Sequence, residues 1–247
     1  MRNFQNEISK EILEKEILDN KLSTINISKK YHIPKRDIVK LQKIYKLQIL
    51  NIDGKRVPRQ LSYEQKQLIL GSCFGNGVLF KNKNGCGLKI CFPNKYCFYV
   101  DLKFNVLRPY IRTSPTIHVS KFKDKSCLCK SFKTLTHDYF TFLYDGFHDK
   151  CGNIHIYENL LDKLDVCGLS VLFMDVGIKK KYSCDFLLNF GYEDQVVFSK
   201  WLKDKFNIES RVIKCSSLYK TRILRGSMHK FNETINNFIL HDFKFKI

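Results

Sequence analysis

The 247-residue chain is predicted to be an α+β protein made of two similar halves about a pseudo-twofold axis, with a small helical domain ahead of them. Three observations carry that expectation. Two nine-residue stretches, ILGSCFGNG from Ile69 to Gly77 and LSVLFMDVG from Leu169 to Gly177, each read as a short apolar helix stopped by glycine, about 100 residues apart. Strand-like and helix-like patterns follow each of them, so the echo extends beyond the motifs. The first sixty residues share neither motif and show only short helical periodicities, which sets them apart as a unit of their own.

Residues 1–49 are assigned to the helical domain. Ile8, Ile12, Ile17 and Leu18 recur at helical spacing and suggest an opening helix. LSTINISKKYHIPKRDIVKLQKIYKL then reads as two short helices around a turn, with Pro34 marking the start of the second. Ile38 and Leu41 would lie on its inner face, and Lys35, Arg36, Lys40 and Lys43 outside. A helix-turn-helix of this kind places the amino end of its second helix in a major groove. A plain helical hairpin docked on the main domain or on another protein satisfies the same pattern. Residues 50–60, with Gly54, Pro58 and several cations, read as a basic linker.

The first half is assigned to residues 61–160 and the second to 161–247. Ser62 and Gln65 form a capping-box pair before the first apolar helix. Phe80 to Phe92 alternates cationic and apolar residues around Gly85 and Gly87, as a twisted hairpin with one polar face would. Asn94 to Ile111 reads as a helix closed by Pro109-Tyr110, and Phe132 to Tyr144 as a strand and helix leading toward the second motif. Lys181 to Lys214 reads as strand, turn, amphipathic helix and strand.

The two motifs, with this order of segments over residues 61 to about 240, resemble the LAGLIDADG homing endonucleases and intron maturases. The resemblance implies αββαββα halves forming a β-saddle, with the motif helices packed on each other through small residues. It also implies an acid at the eighth motif position that holds a divalent metal over a scissile phosphate. Here those positions are Asn76 and Val176, an amide and a hydrocarbon, where Mg²⁺ needs hard anionic oxygen. Asp175 lies one residue earlier, and a helical step of about 100° turns it away from that direction. No cofactor is therefore expected, and Mg²⁺ only if the chain is an endonuclease after all. By analogy with the family's saddle, Lys81, Lys83 and Lys89 in the first half, and Lys179, Lys180, Lys181, Arg211, Lys214, Lys220, Arg222 and Arg225 in the second, are candidates for the nucleic-acid side. Arg222 and Arg225 fall near where the family often keeps a basic residue beside its active centre.

Composition points to the same partner class. Forty-three lysines and arginines against 24 acids give a formal charge of +19, which attracts polyanions and releases their counterions. No apolar run approaches the ~20 residues needed to span a bilayer. Alanine is absent while Lys, Asn, Ile, Phe and Tyr abound, a bias toward AT-rich codons that suggests an organelle-encoded protein of mitochondria or another organelle. Glu7, Glu11, Glu14 and Glu16 conflict with an import presequence. The ten cysteines read as reduced packing residues. The nearest metal-like grouping, Cys127 and Cys129 with His118 and His137, lacks the usual zinc spacing, so no metal is assigned. His148, His155 and His229 have no nucleophile around them, and the many aromatics are core residues by default.

Three functions remain open at this stage. The first is an inactive LAGLIDADG protein that binds structured RNA, either an intron as a maturase does or ribosomal RNA beside ribosomal proteins. The second is a site-specific DNA endonuclease or its DNA-binding remnant, and the third a helix-turn-helix transcription regulator. Two motifs in one chain make a monomer sufficient for the fold.

Overall fold

Residues 8–246 are described by a computed structural model, apart from positions 19, 21, 23, 46, 48, 49, 123, 124 and 217. Glu7 and the segment before it, and the side chains of Leu18 and Lys43, lie outside the described residues. The helical domain holds α1 (Lys10–Leu18), α2 (Thr24–Tyr31) and α3 (Lys35–Ile44). Its core is separate from the main one and consists of Ile8, Leu13, Ile27, Ile33, Ile38 and Leu41. Ile12, expected inside, is 43% exposed, because Leu13 rather than Ile12 completes the inner stripe with Ile8. Between α2 and α3 the chain reverses at His32, whose φ of 53° is left-handed, and at Pro34. An eight-residue helix, a left-handed corner and a ten-residue helix follow one another here, an order common to a helix-turn-helix and to a plain helical hairpin. Glu16 ties α1 to α2: hydrogen bonds from Lys30, Tyr31 and Asn20 hold its carboxyl down to about 2.

Residues 51–60 are fastened to the main domain rather than strung between domains. Ile52 N–H donates to the Ile111 carbonyl at 2.6 Å, Arg108 forks onto Asp53, and Tyr110 OH donates to the Gln60 carbonyl at 2.7 Å.

In the main domain α4 (Tyr63–Phe74) opens on the expected capping box, both Ser62–Gln65 bonds being present. β1 (Val78–Asn82) and β2 (Gly85–Pro93) form the hairpin, followed by α5 (Cys97–Leu107), β3 (Thr116–Phe122), β4 (Lys125–Lys133) and α6 (Asp138–Phe147). After α7 (Glu158–Leu161) the plan repeats as α8 (Val166–Val176), β5 (Gly177–Lys179), β6 (Cys184–Phe186), α9 (Tyr192–Phe206), β7 (Ser210–Cys215), β8 (Leu218–Ile223) and α10 (Met228–Ile235). The boundary after residue 160 falls within α7, which packs on α9 and, through Leu160, against Gly146 of α6. The two four-stranded antiparallel sheets have orders β1-β2-β4-β3 and β5-β6-β8-β7, the same topology twice.

One core runs through both halves, from Leu61 to Phe243, with α4 and α8 at its centre. From Gln67 to Phe74, and from Gly168 to Val176, every residue is buried, as expected of helices enclosed on all sides. Their contact is backbone on backbone. A methyl at Gly71 would sit 2.3 Å from the Gly168 carbonyl oxygen and 2.8 Å from the Val171 Cβ. Gln67 bridges the same crossing, donating to the Lys163 carbonyl and accepting from the Asp165 N–H. Near the end of the chain Phe243 is buried against Tyr96, Phe98 and Tyr99 of the first half.

Gly71→Ala should push the two helices apart and destabilise the chain by about 2–3 kcal/mol, measured by chemical denaturation. The depressed carboxyl of Glu16 stabilises the helical domain above the ordinary glutamate range, and that contribution is lost as pH falls toward about 2. Methyl NMR signals of Ile8 and Ile27 should report that loss, and Glu16→Gln should flatten it.

Candidate nucleic-acid interface and the helix ends

The motif helices end side by side. Asn76 donates its side-chain amide to the Asp175 carbonyl at 3.1 Å, and its backbone N–H faces the Asp175 carboxylate at 3.4 Å. A Cβ on Gly75 would meet the Asp175 Cβ at 2.7 Å, so glycine at 75 makes room for the acid at 175. The Asp175 carboxylate points into the first half, where its side chain is fully buried. Lys103 of α5 donates to both its oxygens at 2.6 and 2.9 Å, and Tyr99 OH donates to one at 2.7 Å. Lys103 is itself fully buried, donates to Ser72 Oγ at 2.8 Å and lies over the Tyr99 and Phe92 rings. Burial pushes the Lys103 pKa down while Asp175 pushes it back, and burial beside Asp175 drives the Tyr99 hydroxyl well above its ordinary range.

A divalent metal does not fit these helix ends. The carboxylate available at the axis is neutralised by an ammonium, the Asn76 amide is engaged with a carbonyl, and Val176 offers no donor. Among the described residues no three His, Cys, Asp or Glu side chains come together to hold an ion. His118 is the register partner of Cys129 across β3 and β4, whereas His137 caps α6 with its ring turned toward the Pro58 and Arg59 carbonyls.

In each sheet one face packs on helices, and the other contributes no residue to the main core cluster. In the first sheet Lys89 pairs with Lys133 on the helix-free face, where the Lys133 ammonium lies 5.7 Å from the centre of the Phe80 ring. Gly87 leaves room for that ring, since a Cβ there would come within 2.6 Å of it. Strand alternation puts Lys81 on the opposite face, its ammonium over Tyr144 of α6, so Lys81 and Lys89 do not share a surface. Lys83 is exposed in the turn of the hairpin.

In the second sheet Arg211 pairs with Arg222, and Arg222 with Asp185. Arg222 grips the Asp185 carboxylate with Nε at 2.5 Å and Nη2 at 2.9 Å, and Lys220 approaches it at 2.8 Å. Burial raises the Asp185 pKa, yet the hydrogen bonds from Arg222 and Lys220 outweigh burial and hold it below the usual carboxylate range. Lys214 pairs with Tyr219 on the helix side, away from Arg211. Lys179 and Lys180 are exposed at the end of β5, and Lys181 and Arg225 both lie over the exposed Tyr182 ring, at 5.0 and 4.7 Å. Lys35, Arg36 and Lys40 are exposed on α3, some of that charge being offset by Asp37.

Sequence reasoning did not single out Lys103, Lys133, Tyr182 or Asp185. Lys133 was accessible from the alternation of β4, once Lys89 was placed opposite it. The other three depend on which strands and helices meet.

The LAGLIDADG DNA endonuclease family profile matches residues 66–231, and the chain belongs to this family. It is 26% identical over 196 residues to the cytochrome b mRNA maturase bI2 of Saccharomyces cerevisiae, a match covering 73% of this chain and 46% of the relative. The chain thus spans under half the length of that protein. In fold it is similar to the homing endonuclease I-WcaI bound to its DNA recognition sequence, with a TM-score of 0.68 and 22% identity, over 76% of this chain and 87% of the other.

Lys103→Met leaves a buried unpaired carboxylate and should destabilise by about 3–5 kcal/mol in urea denaturation. Lys103→Met with Asp175→Leu should recover much of that loss, because no unpaired charge is then left inside.

Proposed function

We propose that this chain is a LAGLIDADG protein that has lost cleavage and binds structured RNA, as an intron maturase or as a fixed component of an organellar ribonucleoprotein. The observation that carries the reading is the pair of helix ends. Asn76 and Val176 stand where metal-binding acids are needed, and the nearest carboxylate, Asp175, is spent on Lys103. A charge of +19 and cations on the helix-free sheet faces supply the attraction to phosphate. The resemblance to an mRNA maturase favours RNA, and the alanine-free, AT-rich residue usage favours an organellar origin.

A second reading, binding of duplex DNA, is favoured by the likeness to a DNA-bound homing endonuclease and by the exposed cations Lys35, Arg36 and Lys40 on α3, which follows α2 across a turn. Crosslinking in cells followed by sequencing of the attached nucleic acid separates the two. Recovery of RNA is expected, and recovery of duplex DNA alone overturns the preference. Co-sedimentation with ribosomes would identify a particle component, and intron reads would identify a maturase. Mg²⁺-dependent cutting of DNA by the unmodified chain would refute the loss of cleavage.

Binding should be steeply salt-dependent. Four engaged phosphates predict a fall in affinity of about 150-fold on a helical nucleic acid, and about 50-fold on a single strand, between about 50 and 200 mM salt, measured by fluorescence anisotropy.

A further inference from the structure

We propose that Asp185 is a positioning residue that holds Arg222 and Lys220 as a preformed phosphate clamp on the helix-free face of the second sheet. The proposal rests on the nucleic-acid reading above, for either RNA or DNA, because a phosphate clamp does not distinguish them.

An acid in the middle of a surface meant for a polyanion is at first sight the wrong charge. Asp185 is 1% exposed and lies beneath the two cations rather than beside them, while the Arg222 and Lys220 side chains remain 27% and 14% exposed. The carboxylate uses Nε and one hydrogen of Nη2 of the guanidinium fork, leaving the other Nη hydrogens for a ligand. Lys220 spends one of its three N–H donors on Asp185. Arg211, directly across the ladder from Arg222, is exposed and adds a third cation to the group. A flexible arginine or lysine must lose rotamer freedom when it grips phosphate, and here that freedom is already removed.

The first half shows that the fold itself does not demand this acid. Val78 and Ile178 each follow a motif glycine, and their register partners are Lys89 and Asp185. Those residues in turn face Lys133 and Arg222. The same crossing is therefore built with lysine in one half and with aspartate in the other. A purely structural need would have put an acid in both.

The test turns on the sign of the effect. Asp185→Asn in the full chain raises the net positive charge by one, so electrostatics alone predicts tighter binding. A clamp predicts weaker binding, by about 10-fold, with the slope of log affinity against log salt reduced by about one phosphate contact. The probes are bulk transfer RNA and a mixed-sequence DNA duplex, each fluorescently labelled. Tighter binding by Asp185→Asn, or an unchanged slope and affinity, overturns the clamp. If Asp185→Asn fails to fold, Arg222→Lys decides: it keeps the charge but loses the fork, and should weaken binding about 10-fold at an unchanged Tm. Unchanged affinity in Arg222→Lys overturns the proposal. Failure of the unmodified chain to bind either probe sinks the nucleic-acid reading, whereas wild-type binding with tighter variants sinks only the clamp.

Discussion

Because Gly71 carries no side chain, the Gly168 carbonyl of α8 lies against the backbone of α4, and most of the molecule's geometry follows from that contact. Helices that approach so closely bring their carboxyl ends together, so β1 and β5 start from neighbouring points and the two sheets spread from a common origin. The contact also decides the character of the residues around it. Whatever lies at position 75 or 175 meets the end of the other helix within van der Waals distance, and the two positions cannot both be large. One is glycine and the other aspartate, so an exact twofold is already broken at the axis.

An acid placed at that axis has to find a counter-charge, since leaving a carboxylate unpaired in such an interior is far more costly than pairing it. In a cutting enzyme a divalent ion would serve, and solvent and phosphate would complete its shell. Here a lysine from α5 does so, with Ser72, Tyr99 and two aromatic faces completing its surroundings. The difference is more than a change of partner. An ammonium cannot activate water or hold two ligands in line, and it is sealed beneath the helix ends instead of facing a groove. At the centre of the molecule this carboxylate therefore serves cohesion between the halves.

The parts legible in the sequence were those set by local rules. Glycine-ended helices, the Ser62–Gln65 capping box and the apolar spacing of Ile38 and Leu41 express contacts within a few residues, and the structure places them as read. The faces of the cations were harder to read. Lys81 and Lys89 lie on the two strands of one hairpin, and only the register Lys81↔Cys86 and Val78↔Lys89 reveals that they point to opposite sides. Lys214, though exposed, falls on the opposite face from Arg211 for the same reason. Ile12 lost its inner place to Leu13 because a helix of nine residues leaves the phase of its stripe to its neighbours. Asp185 could not be recognised at all, since its meaning depends on Lys220 and Arg222, more than thirty residues away along the chain.

A homodimer built on this plan would have to offer the same surface twice, but two halves in one chain are free to differ. They have used that freedom on the faces away from the helices. The first sheet sets Lys89 and Lys133 beside an aromatic ring and continues into Cys91, Ser131 and Cys129. The second sets a buried acid beneath Arg222 and Lys220, and flanks it with Tyr182 between Lys181 and Arg225. One surface has lysines beside a ring and the other an arginine and a lysine held on an acid. A ligand laid across both therefore meets unlike half-sites and gains nothing from being palindromic, which suits a folded, irregular strand as well as it suits a duplex.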